Sequence, residues 1–167
     1  MDIQEAKAGV LTISDKGSRG ERQDQSGVIA AEILEQQEFI ITNRKIIPDN
    51  LKQIKETLIE WVEKDELSLI VTSGGTGLSP TDVTPQAMLE VIDYQVPGIA
   101  EAMRTESLKT TPHAMLSRAV AGVRGNCLII NLPGSPKGVK ENLSTVLPAL
   151  KHAVSKLNGD ISDCAIQ

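Results

Sequence analysis

The stretch Leu67-Ser-Leu-Ile-Val-Thr-Ser-Gly-Gly-Thr-Gly77 decides the fold class. Its first seven residues are aliphatic or small, as is typical of a buried strand, and three glycines follow within four positions. A helix is predicted to begin soon afterwards at Thr84-Pro85, with Thr84 as its cap and proline in its first turn. A buried strand that passes through a glycine-rich turn into a helix is the repeating unit of α/β folds.

The same alternation of strand and helix extends in both directions from this stretch. Further strands are predicted at 8–14, 39–47, 117–124 and 127–131, and further helices at about 25–37, 51–62, 97–108 and 136–157. Gly125-Asn126 joins the last two strands as a β-hairpin, although 114–121 is also compatible with a helix. We therefore predict one α/β domain over 1–167, a three-layer sandwich with a mainly parallel sheet. It ends in a C-terminal hairpin, a helix and a flexible tail at about 158–167.

The composition is that of a globular domain and excludes several classes of function. The 167 residues carry 17 Lys+Arg and 22 Asp+Glu, which gives a formal charge of −5. No apolar run exceeds four residues, against roughly 20 for a membrane span. With no secretory leader in the sequence, a cytoplasmic protein without membrane contacts is expected. The negative charge argues against nucleic acid as a partner, but a local pocket can still take a small anion.

Cysteine, histidine and aromatic residues are too few for several kinds of site. Cys127 and Cys164 cannot form a disulfide framework or a four-ligand zinc site, and Cys127 lies in an apolar run typical of a core. His113 and His152 have no partner at metal-ligand spacing and are interpreted as incidental surface residues. The aromatic residues are only Phe39, Trp61 and Tyr94, so the core must be aliphatic.

The loops that follow strands are the places to seek chemistry, because α/β folds bind ligands at the carboxyl ends of their strands. The first such loop offers backbone N–H groups, hydroxyls and a carboxylate from Ser73, Gly74, Gly75, Thr76, Gly77 and Asp82. Glycines let the backbone surround a phosphate, and a nearby aspartate invites Mg²⁺. The loop matches neither a Walker A sequence nor the dinucleotide-binding GxGxxG spacing. A flexible turn without function is the alternative.

Two further loops carry candidate residues. One opens a helix and contains Asn131, Pro133, Gly134, Ser135 and Lys137; the other contains Thr12, Ser14 and Asp15. A lysine in the first turn of a helix opposes the helix dipole, which suggests that it serves a ligand. Asp24 and Ser26 are interpreted as helix caps, whereas Asp49 is either a cap or a metal ligand. Further candidates for the site are Thr84, Glu101, Arg104, Ser117 and Arg118.

At this level the chain resembles the MogA/MoaB family of molybdenum cofactor biosynthesis, most closely its molybdopterin adenylyltransferases. The matching segments are TISDKGSRGERQDQSG (12–27), IIPDN (46–50), VTSGGTGLSPTDVTPQA (71–87), VPGIAEAMR (96–104) and LSRAVAGVRGNCLIINLPGSPKGVKENL (116–143). They cover most of the chain, in order, without a large insertion. The series is specific although no single segment is.

The resemblance implies a trimeric enzyme that uses Mg²⁺. The terminal phosphate of molybdopterin attacks the α-phosphate of ATP, which yields adenylyl-molybdopterin and pyrophosphate. Asp49 and Asp82 would then be essential to metal-assisted transfer. The four residues of 74–77 would hold phosphate, the loop from Asn131 to Lys137 would line the pterin side, and Thr12, Ser14 and Asp15 would border the nucleotide. A molybdenum insertase of the MoeA type would receive the product.

Two alternatives remain from the sequence. A MoaB-type protein or pterin carrier would share the fold without the transferase activity, yet Asp15, Asp49 and Asp82 are all present and favour the enzyme. A fused scaffold of the gephyrin kind is disfavoured by the chain length.

Overall fold

A computed structural model describes residues 6–161 and places a six-stranded sheet between two layers of helices. The strands are β1 Lys7–Ile13, β2 Ile40–Ile47, β3 Leu69–Ser73, β4 Tyr94–Gln95, β5 Ala121–Arg124 and β6 Cys127–Leu132. The helices are α1 Asp15–Ser18, α2 Gln25–Gln36, α3 Leu51–Glu63, α4 Thr84–Val91, α5 Pro97–Leu108 and α6 Pro136–Leu157, and a 3-10 helix spans Pro112–Leu116. The three-layer α/β prediction is confirmed. Most of the predicted tail, with Cys164, lies outside the described residues.

The strand order is β2-β1-β3-β6-β5-β4, and β2, β1, β3 and β6 are all parallel. β5 runs antiparallel to both of its neighbours, so the predicted hairpin of β5 and β6 connects the parallel strands to the edge strand β4. The chain leaves β1 for β2 on one side and then returns to β3 on the other side of β1. Ligands of open α/β sheets bind at such a reversal, beyond the carboxyl ends of the strands.

Aliphatic side chains fill the core on both faces of the sheet. Helices α2, α5 and α6 cover one face, where Leu34 and Leu143 are buried, and α3 and α4 cover the other, where Ile54 and Met88 are buried. Cys127 belongs to the second core cluster, as predicted, and burial raises the pKa of its thiol to about 12. Within the described residues, no helix combines the length and apolarity needed to cross a bilayer.

The segment after α5 differs from both predictions made for it. It forms the 3-10 helix and then an irregular stretch, so the first hairpin strand begins at Ala121 rather than at 117, and no α-helix covers 114–121. The reason is that its backbone N–H groups do not bond to the backbone of β6: Arg118 N donates to Thr76 O at 2.9 Å, and Val120 N donates to the side-chain oxygen of Asn131 at 3.1 Å. Val120 stays beside β6, where its O accepts from Asn131 N at 3.0 Å, whereas Arg118 is bonded to the glycine loop.

The starts of the helices confirm the predicted cap Asp24 and contradict the caps predicted at Ser26 and Thr84. Ser26 lies inside α2, and its Oγ donates to Gly134 O at 2.7 Å. Asp24 caps α2 by accepting from Gly27 N, and Asn50 caps α3 by accepting from Gln53 N. The predicted Thr84 cap is wrong, because Val83 occupies the cap position of α4 and makes no side-chain cap bond. The short helices and β4 were not predicted, since segments of two to five residues carry too little periodicity to detect.

Candidate active site

The ends of β3, β6 and the start of α2 are joined by hydrogen bonds from serine side chains. Ser73 Oγ donates to Pro133 O at 3.0 Å, and Ser26 Oγ donates to Gly134 O at 2.7 Å. These bonds fix the segment 133–135 beyond the sheet, and this segment is called the wall below. A cleft lies on each side of this wall.

The first cleft, here the carboxylate cleft, has a volume of about 620 Å³ and includes Asp24, Asp49 and Asp82 in its lining. Within residues 6–161, Arg22 is the one basic residue that lines it. The predicted site residues found in its lining are Thr12, Ser14, Ser73, Gly74, Gly75, Gly134 and Ser135. Loops that are far apart in sequence thus converge on one acidic cavity at the reversal of strand order.

Asp15 and Asp49 hold each other through reciprocal hydrogen bonds. Asp15 N donates to Asp49 Oδ2 at 3.1 Å, and Asp49 N donates to Asp15 Oδ1 at 2.9 Å. Because Asn50 supplies the cap of α3, the cap interpretation of Asp49 is wrong and its carboxylate lines the cleft. Asp15 is absent from the lining of both clefts and its hydrogen bonds fix Asp49, whereas its place beside a nucleotide stays a prediction.

The environment of Asp49 disfavours its ionised form. Burial raises the pKa of Asp49 above its ordinary value, and the hydrogen bond from Asp15 N–H opposes this increase. The negative charges of Asp15 and Asp82 raise the pKa further. A cation bound between these carboxylates would favour the ionised form and so remove this penalty.

The donor set fits Mg²⁺ only in company with a phosphate. In the part of the chain that the structure describes, no group of three or more His, Cys, Asp or Glu residues is arranged to hold a metal. Asp49 and Asp82 nevertheless line the same cleft. Mg²⁺ is commonly bound by one or two carboxylates together with substrate phosphates and water. These two residues match that pattern.

Gly74 and Gly75 line the carboxylate cleft between Asp49 and α4. Gly74 has φ 104° and Gly75 has φ 67°, both in the left-handed region. A Cβ at Gly74 would lie 2.2 Å from Ile13 O, and one at Gly75 would lie 2.2 Å from Thr84 Oγ1. Thr84 Oγ1 donates to Gly74 O at 2.9 Å, so this candidate residue secures the loop. No side chain fits between the glycine backbone and its neighbours.

The second cleft, here the basic cleft, lies across the wall and has a volume of about 510 Å³. Its charged lining residues are Arg104, Lys137 and Glu141, and His113 adds an imidazole ring. The predicted residues Thr76, Gly77, Ser117, Pro133 and Ser135 also line it. Pro133 therefore borders this cleft only, whereas Ser135 borders both.

Five predicted residues lie outside both clefts: Asp15 and Thr84, described above, and Asn131, Glu101 and Arg118. Asn131 is fully buried: its Oδ1 accepts from Val120 N and its Nδ2 donates to Thr72 Oγ1 at 3.1 Å, so it fixes the end of β6. Glu101 is exposed on α5 and lines neither cleft. Arg118 is half-buried and turns its side chain toward the glycine loop.

Some lining residues were not predicted from the sequence. His113 was interpreted as incidental but lines the basic cleft, as does Ser107. Ser107 lies three positions after Arg104 on α5, and this spacing on one helix face is the signal that could have found it. Arg22 lies in the loop between α1 and α2, where no periodic pattern indicates which side chains face the carboxylate cleft.

A family model described as "Probable molybdopterin binding domain" matches residues 9–152. The chain belongs to this family. The match includes all the strands described above except the first residues of β1, and both clefts. The family resemblance inferred from the sequence motifs is therefore confirmed.

Two relatives and one solved structure show how far the similarity extends. The chain is 39% identical to the molybdopterin adenylyltransferase of Helicobacter pylori strain J99, covering 95% of this chain and 91% of that protein. It is 43% identical to gephyrin of Dictyostelium discoideum over 90% of this chain, but it spans only 22% of that longer protein. The structure of the molybdopterin biosynthesis enzyme MoaB from Thermus thermophilus is 51% identical, with a TM-score of 0.87. That match covers 92% of this chain and 97% of the other.

Proposed function

We propose that this protein transfers the adenylyl group of ATP to the terminal phosphate of molybdopterin. A phosphate oxygen of molybdopterin attacks the α-phosphorus of ATP, the bond from that phosphorus to the β-phosphate bridging oxygen breaks, and pyrophosphate leaves. The observation that carries the proposal is that two clefts of opposite charge character share the wall at 133–135, with Asp49 and Asp82 in one of them. The likeness to the Helicobacter adenylyltransferase over 91% of its length supports it.

The two clefts suit the two substrates differently. The carboxylate cleft accepts a triphosphate only with a divalent cation, and it is proposed to hold ATP with Mg²⁺ beside Asp49 and Asp82. The basic cleft offers Arg104 and Lys137 to the anionic phosphate of molybdopterin without a metal. Phosphate atoms of the two ligands would meet at the shared wall, where the glycine backbone offers N–H groups. Transfer of this type depends on positioning and charge neutralisation rather than on a protein nucleophile.

Mg²⁺ would supply neutralisation of the phosphate charge that develops in the transfer. The residues of this chain would hold the reactants in line and exclude water between them. Because the site offers two carboxylates rather than a full ligand set, loading of the cation is expected to depend on ATP.

Pyrophosphate release tests the proposal directly. The purified protein is incubated with molybdopterin, ATP and Mg²⁺, and pyrophosphate is measured with mass-spectrometric detection of adenylyl-molybdopterin. Reactions that omit molybdopterin or replace Mg²⁺ with a chelator serve as controls. We expect pyrophosphate and adenylyl-molybdopterin in equal amounts in the complete reaction alone, and their absence from it would refute the proposal.

A second candidate is a MoaB-type pterin-binding protein without transferase activity. The 51% identity to the MoaB of Thermus thermophilus favours this second candidate. It predicts molybdopterin binding whose affinity is the same with and without ATP and Mg²⁺. Calorimetric titration of molybdopterin in both conditions, run beside the pyrophosphate assay, separates the two functions.

The assembly and downstream partner are proposed from the family resemblance. We propose a homotrimer that passes its product to a MoeA-type insertase in the cytoplasm. Exposed apolar side chains along β2 and α2, Ile40, Ile46 and Val28, offer surface for association. Light scattering coupled to gel filtration tests the trimer, since a mass near 17.9 kDa would indicate a monomer.

A further inference from the structure

Arg118 makes four hydrogen bonds to the part of the chain that runs from the glycine loop into α4. Its backbone N donates to Thr76 O at 2.9 Å, and its side-chain Nε donates to Gly77 O at 2.9 Å. The two terminal nitrogens donate to Asp82 O at 2.7 Å and to Gln86 Oε1 at 3.2 Å. One residue thus contacts both ends of the segment 77–82 and the following helix α4.

These bonds affect the position of the Asp82 carboxylate through the backbone of the segment 77–82. The carboxylate accepts from Ser79 N at 3.0 Å, inside the same segment, so the segment and the side chain move together. A Cβ at Gly77 would lie 2.9 Å from Asp82 Oδ2, which shows how closely the backbone at Gly77 approaches this oxygen. The guanidinium holds the carbonyls of Gly77 and Asp82 at a fixed separation, because its donors form a rigid planar fork.

Arg118 directs most of its guanidinium N–H groups to the protein itself. It lines neither the carboxylate cleft nor the basic cleft. Three of the five N–H groups that a guanidinium carries are directed to acceptors of the protein itself. Its charge is therefore used to hold backbone carbonyls.

We propose that Arg118 is a positioning residue that sets the place of the Asp82 carboxylate in the carboxylate cleft. It acts by fixing the segment 77–82 at both ends, and it reaches the reaction only through Asp82. The expected change in kcat rests on the proposed function. The claim that Arg118 fixes the segment 77–82 does not depend on that function.

The test compares Arg118→Gln and Arg118→Lys with the matched control Arg124→Gln. Arg124 is also half-buried and donates from its guanidinium to a backbone carbonyl, that of Val91 at 2.8 Å, yet it lines neither cleft. Amide hydrogen exchange is followed by mass spectrometry on peptides that cover 74–86. The kcat and the KM for molybdopterin are measured in the pyrophosphate assay.

We expect Arg118→Gln to lower kcat about 100-fold, as a displacement of roughly 1 Å does at a reacting centre. The KM for molybdopterin is expected to stay within about twofold of the original value, since the basic cleft is unchanged. Exchange should accelerate in 76–82 and nowhere else. Arg118→Lys keeps the charge but loses the fork, so it is expected to recover only part of kcat. Arg124→Gln should leave kcat and exchange in this segment unchanged.

Unchanged exchange in 76–82 in both Arg118 variants would overturn the inference, as would full recovery of kcat by lysine. A kcat loss of equal size in Arg124→Gln would show that the effect is general destabilisation, which also overturns it. If Arg118→Gln fails to fold, Arg118→Lys carries both measurements. If the unchanged protein releases no pyrophosphate, the proposed function fails, and the exchange experiment still decides whether Arg118 fixes the segment.

Discussion

The two clefts share a wall but recognise charge by opposite means. The carboxylate cleft includes Asp24, Asp49 and Asp82 against one arginine, Arg22, so its lining favours an anion that arrives with a cation. The basic cleft instead offers Lys137 and the guanidinium of Arg104, whose Nη1 also donates to Ala119 O at 3.0 Å. Under the proposed function, this difference predicts that metal dependence and pterin affinity can be separated. Each can be changed by substitution on its own side of the wall.

The largest effect is expected from Asp82→Asn. The substitution keeps the shape and the hydrogen bond from Ser79 N but removes the charge that would hold a cation beside phosphate. We expect kcat for pyrophosphate release to fall by about 1000-fold, the order of loss seen when one preorganised electrostatic contact is removed. Molybdopterin affinity, measured by calorimetry, should not change.

Asp93→Asn is the matched control for this prediction. Asp93 also accepts a backbone N–H, that of Gly125 at 2.7 Å, but it lies outside both clefts. The kcat of Asp93→Asn for pyrophosphate release should equal that of the unchanged protein. A large loss of molybdopterin affinity in Asp82→Asn would break the separation of the two clefts.

An intermediate effect is expected from Lys137→Ala in the basic cleft. The Lys137 side chain is 73% exposed and its Nζ lies 3.7 Å from Glu141 Oε1, so the ammonium is available to a ligand at little cost. Loss of one solvent-exposed charged contact should raise the KM for molybdopterin about tenfold, with kcat and the KM for ATP unchanged. Lys140→Ala, an exposed lysine of the same helix that lines neither cleft, should have no effect. A change confined to the KM for ATP would place the nucleotide in the basic cleft instead.

The smallest effect concerns stability and the raised pKa of Asp49. The folded state binds this proton more tightly than the unfolded state, so ionisation above the ordinary pKa lowers stability as pH rises. Asp49→Asn removes that charge and should be more stable than the unchanged protein at pH 7, by no more than about 1 kcal/mol because the group is partly solvated. The advantage should vanish at a pH below the ordinary pKa of aspartate.

Chemical denaturation at several pH values measures this difference. A variant that is less stable at pH 7 than the unchanged protein would contradict the assigned direction. Asp65→Asn, whose carboxylate accepts from Asn43 outside both clefts, is the control and should show no gain at neutral pH.

The order of the main strands and helices could be predicted because it depends on local patterns. The aliphatic run before Gly74 and the apolar stripe of α3 are visible within a dozen residues, and the carboxyl-end rule then places Asp49 and Asp82 at one edge. Local patterns also explain why Asp24 was correctly interpreted as a cap. These features need no knowledge of distant contacts.

The remaining features depend on contacts between distant residues. Arg118 bonds to Gly77 and Asp82 across 41 and 36 positions, and no local pattern indicates which carbonyls it reaches. The hydroxyl of Thr84 is directed to Gly74 O rather than to its own helix, which is why the cap prediction failed. The same holds for Asn131, whose residue type suggested a ligand contact but whose amide is satisfied by β3 and the segment before β5.

Trp61 gives the protein an intrinsic fluorescent reporter that lies away from both clefts. It is the single tryptophan of the chain, is 5% exposed, and packs beside Gly9 and Leu67 near the amino ends of β1 and β3. Both clefts lie at the opposite, carboxyl ends of these strands. Intrinsic emission should therefore follow global unfolding without direct quenching by a nucleotide or pterin in the clefts. The stability of every variant above can be measured on the same optical signal, with or without ligand.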